Sequence, residues 1–205
     1  PAMIGSGPTV GDGSTTADAL AIVDRWGIGL PDSARVVLDG PTGVIPPNDP
    51  RLSRVDNRVV AAPAQSLAAA AEMAVEAGFE VRILGDDLGG EAREVAADHA
   101  ALALAAQAGR TADMPPLLIL SGGELTVTRT GDGVGGPNAE YALALALALD
   151  GAPGIRAIAC DTDGVDGAAE IAGAQIGPDT LTRAMFARRD PAQALAQNDA
   201  HSFFA

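Results

Sequence analysis

Lysine is absent: all 13 cationic side chains are arginine, against 27 acidic ones, for a formal net charge of -14. A face that neutralises nucleic-acid phosphates needs clustered basic residues, so a sequence-independent grip on nucleic acid is not expected. Cysteine occurs once, as Cys160, which rules out an intramolecular disulfide and fits a reducing, cytoplasmic setting. No apolar run reaches the roughly 18 residues that a membrane span requires, and no basic stretch precedes an apolar core at the N-terminus. Aromatic residues make up only 3% of the 205 residues, yet 47% are hydrophobic. The core is therefore aliphatic, and large enough for one domain or for one domain with part of another.

Helical and strand-like segments alternate along the chain. Spacing and breakers predict helices over 16–26, 31–38, 63–77, 90–109, 138–149 and 178–188, and strands over 57–62, 79–85, 117–120, 125–130 and 155–160. The 138–149 segment alternates leucine and alanine at period two, as a strand would. It holds no β-branched residue, however, and both residue types are strong helix formers, so a helix buried on all sides is expected. The strands at 117–120 and 125–130 lie four residues apart, which predicts an antiparallel hairpin. The fold class expected is α/β, with a mixed, mostly parallel sheet flanked by helices over 55–205. Residues 40–54, with four prolines and two glycines, mark the expected domain boundary. Both ends look cut, so an internal piece of a longer protein is expected.

Three glycine-rich turns stand at strand or helix ends: "SGGE" (Ser121, Gly122, Gly123, Glu124), "GVGGPNAE" (with Gly135, Gly136, Asn138, Glu140) and "DTDGVDG" (Asp161, Thr162, Asp163, Gly164, Asp166). Glycine lets backbone N–H groups approach a ligand, and a helix N-terminus adds partial positive charge, so such turns suit phosphate or carboxylate. Each by itself is more often a plain turn. Glu124, Asp161 and Asp163 cannot hold an anion themselves but could hold Mg²⁺, whose remaining ligands would be phosphate oxygens and water. This combination reads as phosphoryl transfer rather than hydride transfer. No dinucleotide fingerprint is recognised: "GDDLGGEARE" follows a strand and opens a helix but lacks the G-x-G-x-x-G spacing. His99, beside Asp98 in an alanine-rich helix, is expected to face solvent, and Cys160 to be a small buried thiol at a strand end.

The stretches "IGSGPTVGDGSTTADAL", "ILGDDLGGEAREVA", "LLILSGGELTVTRTGDGVGGPNAEYALALALAL", "ACDTDGVDGAAEIAGAQIGPDTLTRA" and "LAQNDAHSFF", in this order, closely resemble the glycerate 2-kinase family, whose second domain is called MOFRL and whose members are often labelled hydroxypyruvate reductase. The resemblance implies transfer of the γ-phosphoryl group of ATP, with Mg²⁺, to the 2-hydroxyl of D-glycerate in a cleft between two α/β domains. It implies that residues 1–54 are the tail of the first domain and linker, and 55–205 the second domain, with its MOFRL region from about 115. Asp161, Asp163 and Glu124 would be catalytic, the first two at the metal. Ser121, Gly122, Gly123, Gly135, Gly136, Asn138, Glu140, Thr162, Gly164 and Asp166 would bind substrate or phosphate. The partner is small-molecule glycerate, with no nucleic acid and no membrane, and a homodimer is left open.

The chain departs from the family inside one motif. Where members carry Gly-Gly-Arg-Asn-Gln-Glu, this chain has Gly135, Gly136, Pro137, Asn138, Ala139 and Glu140. An arginine thought to serve substrate or phosphate is replaced by proline, with Arg129 the nearest substitute cation in sequence. Two alternatives to the kinase therefore stand: a reductase of hydroxypyruvate using NAD(P)H, and a non-catalytic relative. By the same resemblance, the lysine-bearing half of the cleft lies in the first domain, so residues 1–205 alone are expected to be inactive.

Overall fold

The leucine–alanine alternation after Gly136 is helical. Over Pro137–Leu149 the proline occupies the first turn, where its missing N–H has no intrahelical acceptor to lose, and Asp150 ends the helix in a left-handed conformation (φ 45°). Eight of its residues are buried, on every side of the helix. Helical geometry therefore outweighs the period-two pattern.

The computed structural model describes residues 9–41, 43–58, 60–167 and 169–205, and the chain divides into two units, Pro1–Val60 and Ala61–Ala205. The first contains α1 (Thr16–Trp26) and α2 (Asp32–Asp39) and a 3-10 turn at Pro50–Arg54. Thr15 and Asp18 form a reciprocal capping box at the start of α1. On α1 Val23 is buried, whereas Trp26 is exposed with the Arg25 guanidinium 5.6 Å from its ring centroid.

The second unit runs α3 (Pro63–Glu76), β1 (Glu80–Ile83), β2 (Leu88–Glu91), α4 (Ala92–Ala108), β3 (Leu117–Leu120), β4 (Gly123–Thr126), α5 (Pro137–Leu149), β5 (Ala157–Cys160), β6 (Gly173–Ile176), α6 (Thr180–Phe186), α7 (Pro191–Ala196) and α8 (Ala200–Phe204). It is a mixed α/β arrangement in which β1 pairs with β3 and β2 with β4, both parallel, and β5 pairs with β6 antiparallel. The hairpin expected between 117–120 and 125–130 does not form. The chain passes through Ser121 and Gly122 without reversing, because Gly122 N donates to Gly85 O and Leu88 N to Gly122 O, tying the turn to the preceding β1–β2 stretch. A short gap between strands predicts a hairpin only if the chain turns there, and here both strands find partners farther back in the sequence.

Other bounds also shift. The described residues of 57–62 form no strand, and no strand partner is present for them. Residues 88–91 are strand rather than the start of α4, because Gly89 and Gly90 pair with Glu124 and Leu125. The helix expected over 178–188 shortens to α6, with Asp179 at its N-cap making no side-chain cap bond and Arg183 its sole basic residue in the last turn.

Helices α4 and α5 pack in parallel, as the order of their side-chain links shows: Arg93 to Glu140, His99 to Tyr141, and Gln107 to the Pro153 carbonyl just beyond α5. Ala96 and Ala100 meet Ala142, Leu145, Ala146 and Leu149, with Ala174 and Ile176 of β6 closing that core. A second core joins Ala139 and Leu143 to Ala184, Ala200 and Phe203. Helix α5 thus belongs to both, and among the described residues no helix is long and apolar enough to cross a membrane.

Glu140 is 1% exposed within this packing. Its carboxylate accepts from Arg93 Nε at 2.6 Å and from Asn198 Nδ2 at 3.1 Å, while Arg93 also donates to Leu195 O. The Arg93 side chain is 31% exposed and can reach water, whereas the Glu140 side chain cannot. Removing the arginine therefore strands a buried charge, and removing the charge does not. Arg93→Leu should destabilise the chain by about 3 kcal/mol and Glu140→Gln by about 1 kcal/mol. Urea unfolding tests this asymmetry, and equal losses, or a larger loss for Glu140→Gln, would contradict it.

Candidate functional site

The "SGGE" turn is shaped by the backbone beside it. Gly123 has φ +156°, and a Cβ there would collide with the Leu88 carbonyl oxygen. The glycine is required by this close strand approach, while Ser121 and Glu124 remain exposed.

The second turn is more heavily committed than its sequence suggests. Thr130 N and Gly131 N donate to Asn198 Oδ1 (2.7 and 2.9 Å), Gly133 N to Gln197 O (2.8 Å) and Val134 N to Asp199 Oδ1 (2.9 Å). Side chains at Gly131 and Gly133 would strike Gln197 and Asp199, and one at Gly136 would strike Asp166. Arg129 donates to the carbonyls of Gly131 and Gly133, at 3.1 Å each, so the substitute cation suggested by sequence is spent on shaping this loop. Residues 131–136 do carry the literal G-x-G-x-x-G spacing ahead of a helix, which the sequence reading overlooked. Here that spacing accommodates the 197–199 segment and Asp166 instead of a pyrophosphate.

Asp166 is fully buried. Its Oδ1 accepts from Asn138 N (2.9 Å) and Asn138 Nδ2 (3.2 Å), and its Oδ2 from Ala139 N (2.9 Å). His201 Nε2 lies 3.0 Å from Oδ2, while its buried Nδ1 has no partner among the described residues. The anion favoured by the α5 N-terminus is thus the protein's own carboxylate. Asp166, Asn138, Gly136 and Glu140, expected to meet ligand, make contacts that join one part of the chain to another, and of the four Asn138 also lines the cavity described below. Sequence cannot separate these outcomes, because an N–H cradle for a ligand and one for a distant side chain use the same residues.

The third turn divides in two. Asp161, Thr162, Asp163 and Gly164 are exposed, and among the described residues the Asp161 carboxylate has no hydrogen-bond partner, while Asp163 Oδ1 accepts from Val165 N at 2.8 Å. Asp166 anchors the other half, and Gly167 (φ +70°) lies so near the Gly135 carbonyl that an added Cβ would sit 2.8 Å from it.

A cavity of about 1420 Å³ opens between β3, α4, α5 and β5. Ser121, Gly122, Gly123 and Glu124 line it together with Pro137, Asn138 and Asp161; Thr162, Asp163, Gly164, Gly135, Gly136, Glu140 and Asp166 do not. The chain leaving β5 reaches the α5 N-terminus through Asp166, and the chain leaving β4 reaches the start of α4, where Thr128 N donates to Glu91 at 2.9 Å. The ends of β3 and β5 that carry Ser121 and Asp161 therefore point toward the same helix ends.

Two residues on the cavity wall correct the sequence reading. His99 is half-buried, its Nδ1 2.8 Å from Tyr141 Oη. Burial lowers the His99 pKa and pushes the Tyr141 hydroxyl up to about 12, so both are neutral at neutral pH. The only sequence signal was a tyrosine in a buried helix, whose hydroxyl needs a partner. Cys160 also lines the cavity and is exposed, because β5 turns alternate residues away from the core.

Among the described residues no three His, Cys, Asp or Glu side chains gather so as to hold a metal ion. Mg²⁺ commonly takes one or two carboxylates and completes its shell with phosphate and water. The exposed Asp161 and Asp163 fit such a shared ion rather than an all-protein cage.

Residues 117–205 match the MOFRL family and residues 1–39 a domain of unknown function, DUF4147. A protein named putative hydroxypyruvate reductase from Agrobacterium vitis is 47% identical over 208 residues, covering 100% of this chain and 46% of that one. The D-glycerate 2-kinase of Thermotoga maritima is 30% identical over 200 residues, covering 98% of this chain and 46% of that one. Among solved structures, a glycerate kinase from Thermotoga maritima matches with a TM-score of 0.77 and 29% identity, covering 94% of this chain and 45% of that one. The PH0495 protein of Pyrococcus horikoshii matches with a TM-score of 0.73 and 30% identity, covering 98% of this chain and 47% of that one. The chain spans about half the length of the curated relatives it matches. With its strand pairs, its glycine-rich turns and both domain matches in order, the chain belongs to the MOFRL-domain glycerate kinase family.

Proposed function

We propose that the protein carrying this chain is a D-glycerate 2-kinase, a cytoplasmic enzyme that transfers the γ-phosphoryl group of ATP to the 2-hydroxyl of glycerate. The observation that carries this reading is the division of "DTDGVDG". Asp166 is consumed in capping α5, while Asp161 and Asp163, immediately before it, are held exposed at the strand end. Fixing one end of a short loop orients the other, and phosphoryl transfer depends on positioning and charge neutralisation more than on covalent chemistry. Similarity to the Thermotoga maritima D-glycerate 2-kinase supports glycerate as the substrate. We assign residues 1–54 to the end of the first domain and linker, and 55–205 to the second.

In this reading Asp161 and Asp163 hold Mg²⁺, which when bound neutralises developing charge on the phosphate oxygens. Glu124, exposed at the cavity, is an acceptor for the 2-hydroxyl proton, and Ser121 is a donor for the glycerate carboxylate. Pro137 also lines the cavity, so the position where the family carries arginine faces the site without a charge.

A reductase reading is favoured by the names of two Agrobacterium vitis relatives. Against it stands the commitment of the Gly131–Gly136 N–H groups and glycine faces to residues 197–199 and Asp166.

The whole polypeptide should form 2-phosphoglycerate from D-glycerate, ATP and Mg²⁺ and leave NADH unconsumed with hydroxypyruvate; the reverse result would sink the kinase reading. Residues 1–205 by themselves should show neither reaction.

Asp161→Asn and Asp163→Asn should each lower kcat/KM by about 100-fold, roughly 2.7 kcal/mol of transition-state stabilisation, with little change in Tm. Asp166→Asn should lower Tm as well, because it replaces an acceptor-only carboxylate at a buried helix cap. A Tm loss confined to the first two variants would reverse these assignments.

Pro137→Arg should raise kcat/KM for glycerate at least about tenfold, about 1.4 kcal/mol, by restoring a cation to the cavity wall. An unchanged low rate would remove that position from the mechanism.

A further inference from the structure

The acidic loop after β5 is tied to the rest of the chain at its two ends. Asp161 N donates to Ala172 O at 2.6 Å, and Asp166 N to Ile171 O at 2.7 Å. Among the described residues, the bonds made by 162–165 stay inside the loop: Gly164 N to Asp161 O at 3.4 Å and Val165 N to Asp163 Oδ1 at 2.8 Å. Where Asp161 and Asp163 stand therefore depends on how firmly Asp166 is fixed.

Three of the four hydrogen bonds to the Asp166 carboxylate come from the first turn of α5, from Asn138 N, Asn138 Nδ2 and Ala139 N. Donors on one helix turn hold the carboxylate against that helix but leave the loop able to pivot about it. The fourth, His201 Nε2 at 3.0 Å, comes from α8, 35 residues further along the chain, and removes that freedom. A carboxylate can only accept, so Nε2 carries the proton in this contact.

The ring is itself braced. His201 is 5% exposed, its N donates to Val134 O at 3.0 Å, and its neighbours Ala200 and Phe203 lie in the core with Ala139 and Leu143. Arg189 Nη1 donates to the Ser202, Phe203 and Ala205 carbonyls at the end of α8. His201 Nδ1 is buried with no partner, so among the described residues the ring's polar contact is with Asp166 alone. An apolar side chain would serve packing better, since a buried polar atom left unpaired is costly.

We propose that His201 is a positioning residue of the candidate site: by fixing Asp166 from a second element, it holds the loop that presents Asp161 and Asp163. Its main chain meets the glycine-rich loop at Val134 and its side chain meets the acidic loop at Asp166, so one residue of α8 sets two of the three turns relative to each other. The catalytic consequence rests on the kinase reading, in which Asp161 and Asp163 hold Mg²⁺; the positioning itself does not.

Three variants of the whole polypeptide separate hydrogen bonding from packing. His201→Phe keeps an aromatic ring and removes the donor. His201→Gln places an amide nitrogen at the position of Nε2, whereas His201→Asn reaches only as far as Nδ1, short of Asp166. Hydrogen exchange read by mass spectrometry should be at least about tenfold faster over 161–167 in the Phe and Asn variants, close to wild type in the Gln variant, and unchanged over 142–149 of α5 in all three. In glycerate phosphorylation kcat should fall at least about tenfold in the Phe and Asn variants, with KM for glycerate within about twofold, and recover in the Gln variant. Should His201→Phe fail to fold, the Gln and Asn variants, alike in polarity and different in reach, make the same comparison. The proposal is overturned if the Gln and Asn variants behave alike in the loop, if 142–149 loosens together with 161–167, or if the loop loosens while kcat holds. A wild-type protein that phosphorylates no glycerate, but whose loop still follows the Gln and Asn pattern, would remove the kinase reading and support the positioning role of His201.

Discussion

The Asp166 carboxylate at the N-terminus of α5 is the constraint on which the rest of the second unit turns. It closes N–H groups of a helix that belongs to both apolar cores, and it lies on the loop that leaves β5. An anion at a helix N-terminus is favourable both for the hydrogen bonds it accepts and for the macrodipole it meets. Supplying that anion from the chain itself ties the acidic loop to the helix. The exposed Asp161 and Asp163 inherit their placement from a residue that never reaches solvent.

A second tie reinforces the first. Asn198, buried with φ 54°, accepts from Thr130 N and Gly131 N and donates to Glu140, whose other partner is Arg93 on α4. The glycine loop before α5, the helix itself, α4 and the 197–199 segment are thus joined through one amide side chain and one ion pair. The glycines at 131, 133 and 136 permit this because a Cβ at any of them would strike the segment packed against it. The G-x-G-x-x-G spacing is real at these positions, but its physical use is intrachain packing.

The candidate site was partly legible in the sequence. Three Asp and two Gly after an apolar strand pointed to a strand-end loop, and the loop is there, with glycine at the positive-φ positions Gly164 and Gly167. Its internal division was hidden. Nothing in "DTDGVDG" tells which aspartate meets N–H groups 28 residues away at Asn138. His99 was misplaced for a similar reason: its polar partner, Tyr141, stands on a different helix.

Composition, helix propensity and breaker residues by themselves determined that Pro137–Leu149 is helical, that Pro63 opens a helix and that the architecture is α/β. These are local or summed properties, and a helix closes its hydrogen bonds within its own segment. Only the tertiary structure decided that β3 and β4 pair backward with β1 and β2 instead of with each other, and that the Asp166 and Glu140 carboxylates join distant elements. Strand partners and buried polar partners come from distant parts of the chain, so the residue types alone leave them open; packing determines which N–H group meets which oxygen.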